Sequence, residues 1–299
     1  MNNLYFSSEV NDALKNNLPI VALESTVITH GLPIPKNLET AIAMENTVRS
    51  AGSIPATICL IEGLIRIGLD NSQLETLSRS KDAIKVSIRD MAGALLNKNY
   101  GGTTVSGTMS IANMVGVKIF ATGGIGGVHR DNHMDISADL PALSKIPLLV
   151  VCSGAKSILD LPATREYLET AGIPVIGYQT DEFPAFYSKE SGLKVDFRCD
   201  TPKDIADFAK LHWGLGLNST VLVTVPVPDK SEIPFSEIEG FIHLALEEMK
   251  KKNISGAALT PFLLNRVSEL TGGRSLKSNV DLLINNARVA GEIAVEYYR

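Results

Sequence analysis

The 299-residue chain lacks the features that mark secreted and membrane proteins. It has three cysteines, Cys59, Cys152 and Cys199, without a Cys-x-x-Cys pair, and an odd thiol is what a reducing compartment permits. No apolar run is long enough to span a bilayer, and the N-terminal residues show no basic region followed by an apolar stretch and a cleavage site. We therefore expect a soluble cytoplasmic protein whose cysteines are buried bystanders.

The chain also lacks a strong excess of charge of one sign. Its 28 Lys and Arg residues and 33 Asp and Glu residues are interspersed and give a formal net charge of -5. Because a broad nucleic-acid or anionic-membrane surface needs excess positive charge, we expect neither partner and predict a small-molecule ligand instead. Hydrophobic residues make up 44% of the chain, which is enough for a sizeable core without disulfide bonds.

Short β-rich runs alternate with amphipathic segments along most of the chain. The segment from Lys36 to Ser50 has apolar residues at helical spacing, with Pro35 before it and Gly52 after it, and a similar segment ends at Ala171. The β-rich runs have the length and composition of buried strands. They are LPIVAL (18–23), IPATICLI (54–61), AIKVSI (83–88), VKIFATGG (117–124), IPLLVV (146–151), IPVIGY (173–178) and STVLVTVPVP (219–228).

This alternation predicts an α/β fold with three α/β/α layers and a largely parallel or mixed central sheet. In such a sheet the functional residues lie on loops at the carboxyl ends of the strands. No Pro/Ser-rich linker or charge block divides the chain, so we expect residues 1–299 to form one domain with a helical C-terminal third from about Pro234.

Two glycine-rich segments are candidates for anion binding. The segment ATGGIGGVHR (121–130) follows a predicted strand, but His129 stands where a dinucleotide-binding fingerprint needs its third glycine, and the segment is not a Walker loop. A tight turn and a phosphate-binding loop are both open interpretations. We predict a second loop at GGTTVSGT (101–108), whose glycines and hydroxyls suit an oxyanion.

The segment HRDNHMDISAD (129–139) contains residue types that bind divalent metals: His129, His133, Asp135 and Asp139. Asn132 and the glycines before it favour a loop over a helix that would place both imidazoles on one face. Carboxylates without thiolates favour magnesium or manganese over zinc. Asp135 is either a metal ligand or a solvated loop residue.

Three charged residues stand at or beside predicted buried strands. Glu24 ends the first buried run, where burial would raise the pKa of a carboxyl group and a nearby cation would lower it. Lys156 follows IPLLVV and Cys152, where desolvation favours the neutral amine that attacks carbonyl carbons. Its alternative is a surface lysine with a buried stem. Lys85 lies within AIKVSI and is expected either to pair with Asp90 or to hold a phosphate.

Taken in order along the chain, these segments resemble the pseudouridine-5'-phosphate glycosidase family, also known as indigoidine synthase A-like proteins. Several motifs at fitting separations carry the resemblance over nearly the whole chain. They are ALESTVITHGLPIPKN, KVSIRD, GGTTVSGTM, ATGGIGGVHR, DISADL, VCSGAKSILD, LTPFLL and SNVDLLINNARVAGEIA.

The resemblance implies a reversible split of pseudouridine 5'-phosphate into uracil and ribose 5-phosphate, with Mn2+ as the metal and a homotrimer as the assembly. It implies that Glu24 is the general acid/base, Lys156 the covalent nucleophile and Asp135 the metal ligand. Ile88 stands where many relatives carry a second arginine before the aspartate of KVSIRD, and His133 lies outside the implied metal shell. The implied substrate-binding residues are Lys85, Val105, Ser137, Ala138, Asp139 and Asn279.

The chemistry explains why such a family would need a lysine. Pseudouridine is joined carbon to carbon, so its base cannot leave through a protonated nitrogen, and an imine on the sugar supplies the missing electron sink. Two other functions use the same residue types: a Schiff-base aldolase acting on a phosphosugar, and a non-catalytic phosphosugar- or nucleotide-binding protein. Release of uracil distinguishes the glycosidase from both.

Overall fold

The computed structural model describes residues 3–130, 132–252, 254 and 259–299. Within them, eleven strands form one sheet in the order β1-β4-β3-β2-β7-β8-β11-β9-β10, with β6 also pairing with β3, and β5 with β6. The strands are β1 (Leu4–Phe6), β2 (Ile20–Leu23), β3 (Ile54–Ile61), β4 (Leu64–Ile67), β5 (Ile84–Val86), β6 (Gly101–Thr103), β7 (Ile119–Ala121), β8 (Leu149–Cys152), β9 (Val175–Tyr178), β10 (Phe197–Cys199) and β11 (Val221–Thr224).

The sheet is mostly parallel. Strand β3 runs antiparallel to β4 and β6, and the other strand pairs are parallel. The central strands β2, β8 and β11 are buried along their whole length, as expected of a parallel sheet covered by helices. Six of the seven predicted β-rich runs contain a whole strand of the sheet, and the run 146–151 contains all of β8 except its last residue, Cys152, so the prediction of these strands is confirmed.

Helices flank the sheet. Helix α11 packs beside α2 and α8 and against β2, β7 and β8, whereas α5 packs against β2, β3 and α6. The α/β prediction with a largely parallel sheet is therefore confirmed. The helices are α1 (Ser8–Lys15), α2 (Lys36–Ser50), α3 (Asn71–Arg79), α4 (Met91–Leu96), α5 (Val105–Met114), α6 (Asp139–Leu143), α7 (Leu161–Thr170), α8 (Pro202–Gly214), α9 (Phe235–Lys251), α10 (Leu259–Leu270) and α11 (Arg274–Tyr297).

The C-terminal part after Pro234 contains α9, α10 and α11. One cluster of buried apolar side chains runs from Val10 in α1 to Ala294 in α11 and takes in most of the strands. The division of the chain into a single domain stays a prediction.

The segment 101–108 is not the loop that its glycines suggested. Residues 101–103 form β6, and α5 begins at Val105, with the Thr104 side chain accepting a hydrogen bond from the Gly107 backbone N–H (3.2 Å). Gly102 allows a close approach of two backbones, because a Cβ there would lie 3.1 Å from the Cα of Thr26. Packing of β6, rather than anion binding, therefore accounts for Gly102.

The cysteines are free thiols, as expected of bystanders. Cys59 and Cys152 are buried, and burial raises the pKa of both, that of Cys152 to about 12. Cys199 is half-buried, and partial burial raises its pKa as well. Across the described part of the chain, none of the helices combines the length and the apolar character needed to cross a bilayer.

Candidate active site

Three neighbouring strands end at one edge of the sheet. Leu23 of β2 pairs with Ala121 of β7, which in turn pairs with Val151 of β8, and all three strands run parallel. The next residues, Glu24 and Thr122, therefore emerge side by side, and the loop after β8 emerges next to them. This is the edge at which an α/β sheet is predicted to carry its functional residues.

Glu24 lies in the interior at this edge, with 9% of its surface exposed. The Thr122 hydroxyl, which is fully buried, donates a hydrogen bond to Glu24 Oε1. Burial raises the pKa of Glu24, and the positive charge of Lys156 and the Thr122 hydrogen bond oppose that rise without cancelling it. Glu24 is thus a carboxyl group that keeps its proton to a higher pH than an exposed glutamate.

Lys156 lies on the loop that follows β8 and is half-buried. Its Nζ donates a hydrogen bond to the carbonyl oxygen of Gly124 (2.8 Å), and its backbone N–H donates to Ile125 O (3.1 Å). The side chain is therefore turned toward the glycine-rich segment after β7, and its charge acts on Glu24. The arrangement differs from that of a surface lysine pointing into solvent.

Asp139, the first residue of α6, joins two segments that lie apart in sequence. Its Oδ1 accepts a hydrogen bond from the backbone N–H of Ser106 (2.9 Å), and its Oδ2 accepts one from Gly126 (2.8 Å). A Cβ at Gly126 would stand 2.8 Å from Asp139 Oδ2 and would overlap Ser137. Gly126 is therefore glycine because the Asp139 and Ser137 side chains occupy the space beside it.

Lys85 completes a group of four charges that we call the charged cluster: Glu24, Lys85, Asp139 and Lys156. Lys85 is exposed at the edge of this cluster, yet desolvation by the surrounding protein and the positive charge of Lys156 lower its pKa, against the effect of Asp139 and Glu24. The alternative partner Asp90 instead accepts hydrogen bonds from the Ser87 hydroxyl (2.6 Å) and backbone N–H (3.0 Å). The cluster holds two formal cations and two formal anions.

The other predicted substrate-binding residues lie at the start of α5, directly before α6 and on α11. Val105 is buried at the start of α5, directly before Ser106, and Ser137 accepts a hydrogen bond from the Asp139 backbone N–H (3.3 Å). Ala138 is exposed beside them. Asn279 is buried on α11, so it comes from a part of the chain far from the others in sequence.

Asp135 lies exposed on the loop before α6, as the loop prediction for this segment requires. The described residues contain no group of three or more His, Cys, Asp or Glu side chains placed to hold a metal ion. His133 is directed to Asp160, with 3.1 Å between His133 Nε2 and Asp160 Oδ2. With the described residues alone, a divalent cation at Asp135 would keep most of its water ligands, as Mg2+ usually does.

Comparison with known proteins shows the family of this chain. Residues 9–296 match the model of the indigoidine synthase A-like proteins. The chain belongs to this family. It is 51% identical over 293 residues to a pseudouridine-5'-phosphate glycosidase from Solibacter usitatus, covering 97% of this chain and 98% of the relative. It is 52% identical over 295 residues to a glycosidase of the same name from Geobacillus kaustophilus, covering 98% of each chain.

Two solved structures of related proteins share the fold. The prealnumycin C-glycosynthase AlnA, solved in complex with ribulose 5-phosphate, superimposes with a TM-score of 0.91 at 40% identity, covering 99% of this chain and 97% of that one. An indigoidine synthase A-like protein from Thermotoga maritima gives a TM-score of 0.91 at 36% identity, with the same coverage.

Sequence reasoning missed two residues of this candidate site. Thr122, which donates to Glu24, stands directly after a buried strand, and that position was a usable signal. Asn286 is fully buried on α11 and binds the backbone at Thr122 and Gly123. In the sequence, Asn286 is marked only as a polar side chain within the apolar face of a helix. That pattern does not indicate what the side chain binds.

Proposed function

We propose that the chain is a pseudouridine-5'-phosphate glycosidase, which splits pseudouridine 5'-phosphate with one water into uracil and ribose 5-phosphate, reversibly. The observation that carries the proposal is the electrostatic interaction of buried Glu24, which follows β2, with the amine of Lys156 on the loop after β8, two parallel strands that flank β7. Two relatives about 50% identical over nearly the full chain have this name. The related C-glycosynthase bound to ribulose 5-phosphate adds support for a phosphosugar ligand.

In the first step, the sugar ring opens at the anomeric carbon. The bond between C1' and the ring oxygen breaks, the oxygen takes a proton from Glu24, and the neutral Lys156 amine forms a bond to C1'. Burial raises the pKa of Glu24, which favours the protonated form that this step needs. Positioned proton transfer of this kind contributes about 100- to 10,000-fold to rate.

In the second step, the carbon-carbon bond breaks. The nitrogen of Lys156, positively charged after the first step, first returns a proton to the Glu24 carboxylate. The electron pair of the bond between C1' and uracil C5 then passes to the uracil ring, C5 takes up the proton from Glu24, and the nitrogen lone pair forms a protonated imine with C1'. Water hydrolyses this imine, which releases ribose 5-phosphate, restores the free amine and returns the proton to Glu24. Lys156 thus supplies the electron sink that a carbon-linked base otherwise lacks.

The other predicted residues bind and orient the substrate. Lys85 offers a positive charge to the phosphate, and Asp139 fixes the relative position of α5 and the glycine-rich segment by its two backbone hydrogen bonds. Val105, Ser137, Ala138 and Asn279 are proposed to line the pocket around them. Holding the sugar against Lys156 in this way supplies the proximity that the covalent step needs.

We also propose that Asp135 holds Mn2+ mainly through the water shell of the ion. A bound divalent cation would organise water and polar groups near the phosphosugar. Chelation should abolish activity and Mn2+ should restore it, whereas Asp135→Asn should raise the Mn2+ concentration needed for half-maximal activity. An Asp135→Asn variant with an unchanged Mn2+ requirement would contradict this assignment.

The location and assembly are proposals as well. We propose a cytoplasmic homotrimer. The three free thiols suit a reducing compartment, which supports the cytoplasmic location. The trimer is what the family resemblance implies. Light scattering of the purified protein tests the trimer, because a monomer and a trimer of a 32.1 kDa chain differ threefold in mass.

One assay tests the activity. The protein is incubated with pseudouridine 5'-phosphate, after chelation, with and without added Mn2+, and free uracil is measured. Uracil release is the expected result. Binding without any product would instead indicate a phosphosugar-binding protein, and cleavage within the sugar chain without uracil release would indicate an aldolase.

A further inference from the structure

The side chain of Asn286 is a fully buried amide on α11, with all of its polar atoms engaged. Its Nδ2 donates hydrogen bonds to the carbonyl oxygens of Thr122 (2.9 Å) and Gly123 (3.3 Å). The Ser153 hydroxyl contacts both ends of the amide: it donates to Oδ1 (3.2 Å) and accepts from Nδ2 (3.1 Å). One side chain therefore binds the segments that follow both β7 and β8.

Each of these segments carries or contacts a residue of the proposed reaction. Thr122 donates to Glu24, and the carbonyl of Gly124 accepts from Lys156 Nζ. Ser153 begins the loop that leads to Lys156, and its backbone N–H donates to Gly123 O (2.8 Å). The amide of Asn286 thus connects the backbone segment that contacts Glu24 and Lys156 with the loop that carries Lys156.

An asparagine suits this place better than similar side chains. The Thr122 and Gly123 carbonyls lie past the end of β7 and need donors inside the protein, because a buried carbonyl without a partner is costly. An aspartate would turn a negative charge toward both carbonyls, and an alanine would leave the two carbonyls and the Ser153 hydroxyl without this partner.

We propose that Asn286 is a positioning residue. Through its hydrogen bonds to the segments that follow β7 and β8, it sets the separation and orientation of Glu24 and Lys156. The inference rests on the proposed function, because it assigns Asn286 a role in that reaction. Asn286 acts through the Thr122–Gly124 backbone and through Ser153, without contact to the substrate.

The first test compares Asn286→Ala with Asn285→Ala in the full-length protein. Asn285 is the neighbouring asparagine on the same helix, and its Oδ1 accepts from Arg288 (3.0 Å) instead of binding the two loops. Since a misplacement of about 1 Å remote from the chemistry costs on the order of 100-fold, we expect kcat for Asn286→Ala to fall by about 10- to 100-fold with KM little changed. Asn285→Ala should keep the wild-type values.

The second readout is the pH dependence of kcat/KM, which a loss of folded protein would not shift. Glu24 faces the charges of Lys156, Asp139 and Lys85 and the hydroxyl of Thr122. Loosening the Thr122 backbone weakens the hydrogen bond that lowers the pKa of Glu24, so that pKa rises. Because the protonated carboxyl is the active form, the high-pH limb of the profile should move to higher pH in Asn286→Ala. A purely structural role would lower the whole profile without moving the limb.

A second variant covers the case in which Asn286→Ala does not fold. Ser153→Ala removes the hydroxyl that donates to Asn286 Oδ1 but leaves the amide in place, and it should move the same limb in the same direction by a smaller amount. Wild-type protein that releases no uracil would overturn the proposed function itself. If the wild-type protein is active and folded Asn286→Ala keeps both kcat and the pH limbs unchanged, the positioning role alone is overturned. If Asn286→Ala does not fold, the same unchanged result in Ser153→Ala overturns it.

Discussion

Replacing Thr122 by valine removes one hydroxyl from the interior and leaves a side chain of nearly the same shape. That hydroxyl donates to Glu24 Oε1, and both residues are buried, so water does not take its place readily. The hydrogen bond stabilises the ionised carboxylate, and its loss therefore adds to the burial effect that already raises the pKa of Glu24.

The size of the effect follows from the kind of bond. A hydrogen bond to a charged group is worth about 1.5 to 3 kcal/mol, and about 1.4 kcal/mol corresponds to a tenfold change in an equilibrium. Thr122→Val should thus favour the protonated form of Glu24 by about 10- to 100-fold over wild type. If protonated Glu24 is the active acid, the high-pH limb of kcat/KM moves to higher pH.

The assay is uracil release from pseudouridine 5'-phosphate across a range of pH, for wild type and Thr122→Val. Thr224→Val is the matched control, because Thr224 also ends a buried strand and its hydroxyl donates to a backbone carbonyl, Ile176 O (3.0 Å). The control should leave the limb in place. A limb that stays fixed or moves to lower pH in Thr122→Val would refute the assignment of Glu24 as the acid.

Further predictions concern stability and backbone space. Burial raises the pKa of Glu24 above its ordinary value of 4.5, so folding takes up a proton and stability falls as pH rises above that value. Glu24→Gln should therefore raise the Tm at alkaline pH and change it little near about pH 4, as measured by thermal unfolding. Gly126→Ala should abolish most uracil release, because its Cβ would displace Asp139. Its control, Gly93→Ala, meets nothing within 4 Å in α4 and should keep full activity with stability higher by up to about 1 kcal/mol.

The long apolar runs made most of the sheet predictable. The run at residues 54–61 is β3 from its first residue to its last, because seven of its eight residues are buried and favour an extended backbone. Strand β6 escaped prediction because Gly101 and Gly102 are typical of loops. Their place in a strand depends on close packing against the turn that contains Thr26, which is a tertiary effect.

The site was predictable only in part for the same reason. Glu24 and Lys156 each follow a buried strand in the sequence, so their location at the sheet edge could be expected. The order β2-β7-β8, which places them together, is a property of the folded sheet. Asn286 and Ser153 are 133 residues apart in the chain, and no local pattern connects them.

The central claim is that the amine of Lys156 bonds to C1' of the sugar. Borohydride is added to the protein with ribose 5-phosphate, and the peptides are analysed by mass spectrometry. The account predicts that the peptide with Lys156 gains the mass of a reduced ribose 5-phosphate imine. Lys156→Arg, which keeps the charge but forms no imine, should gain none. An unmodified Lys156 in protein that releases uracil under the same conditions would contradict the claim.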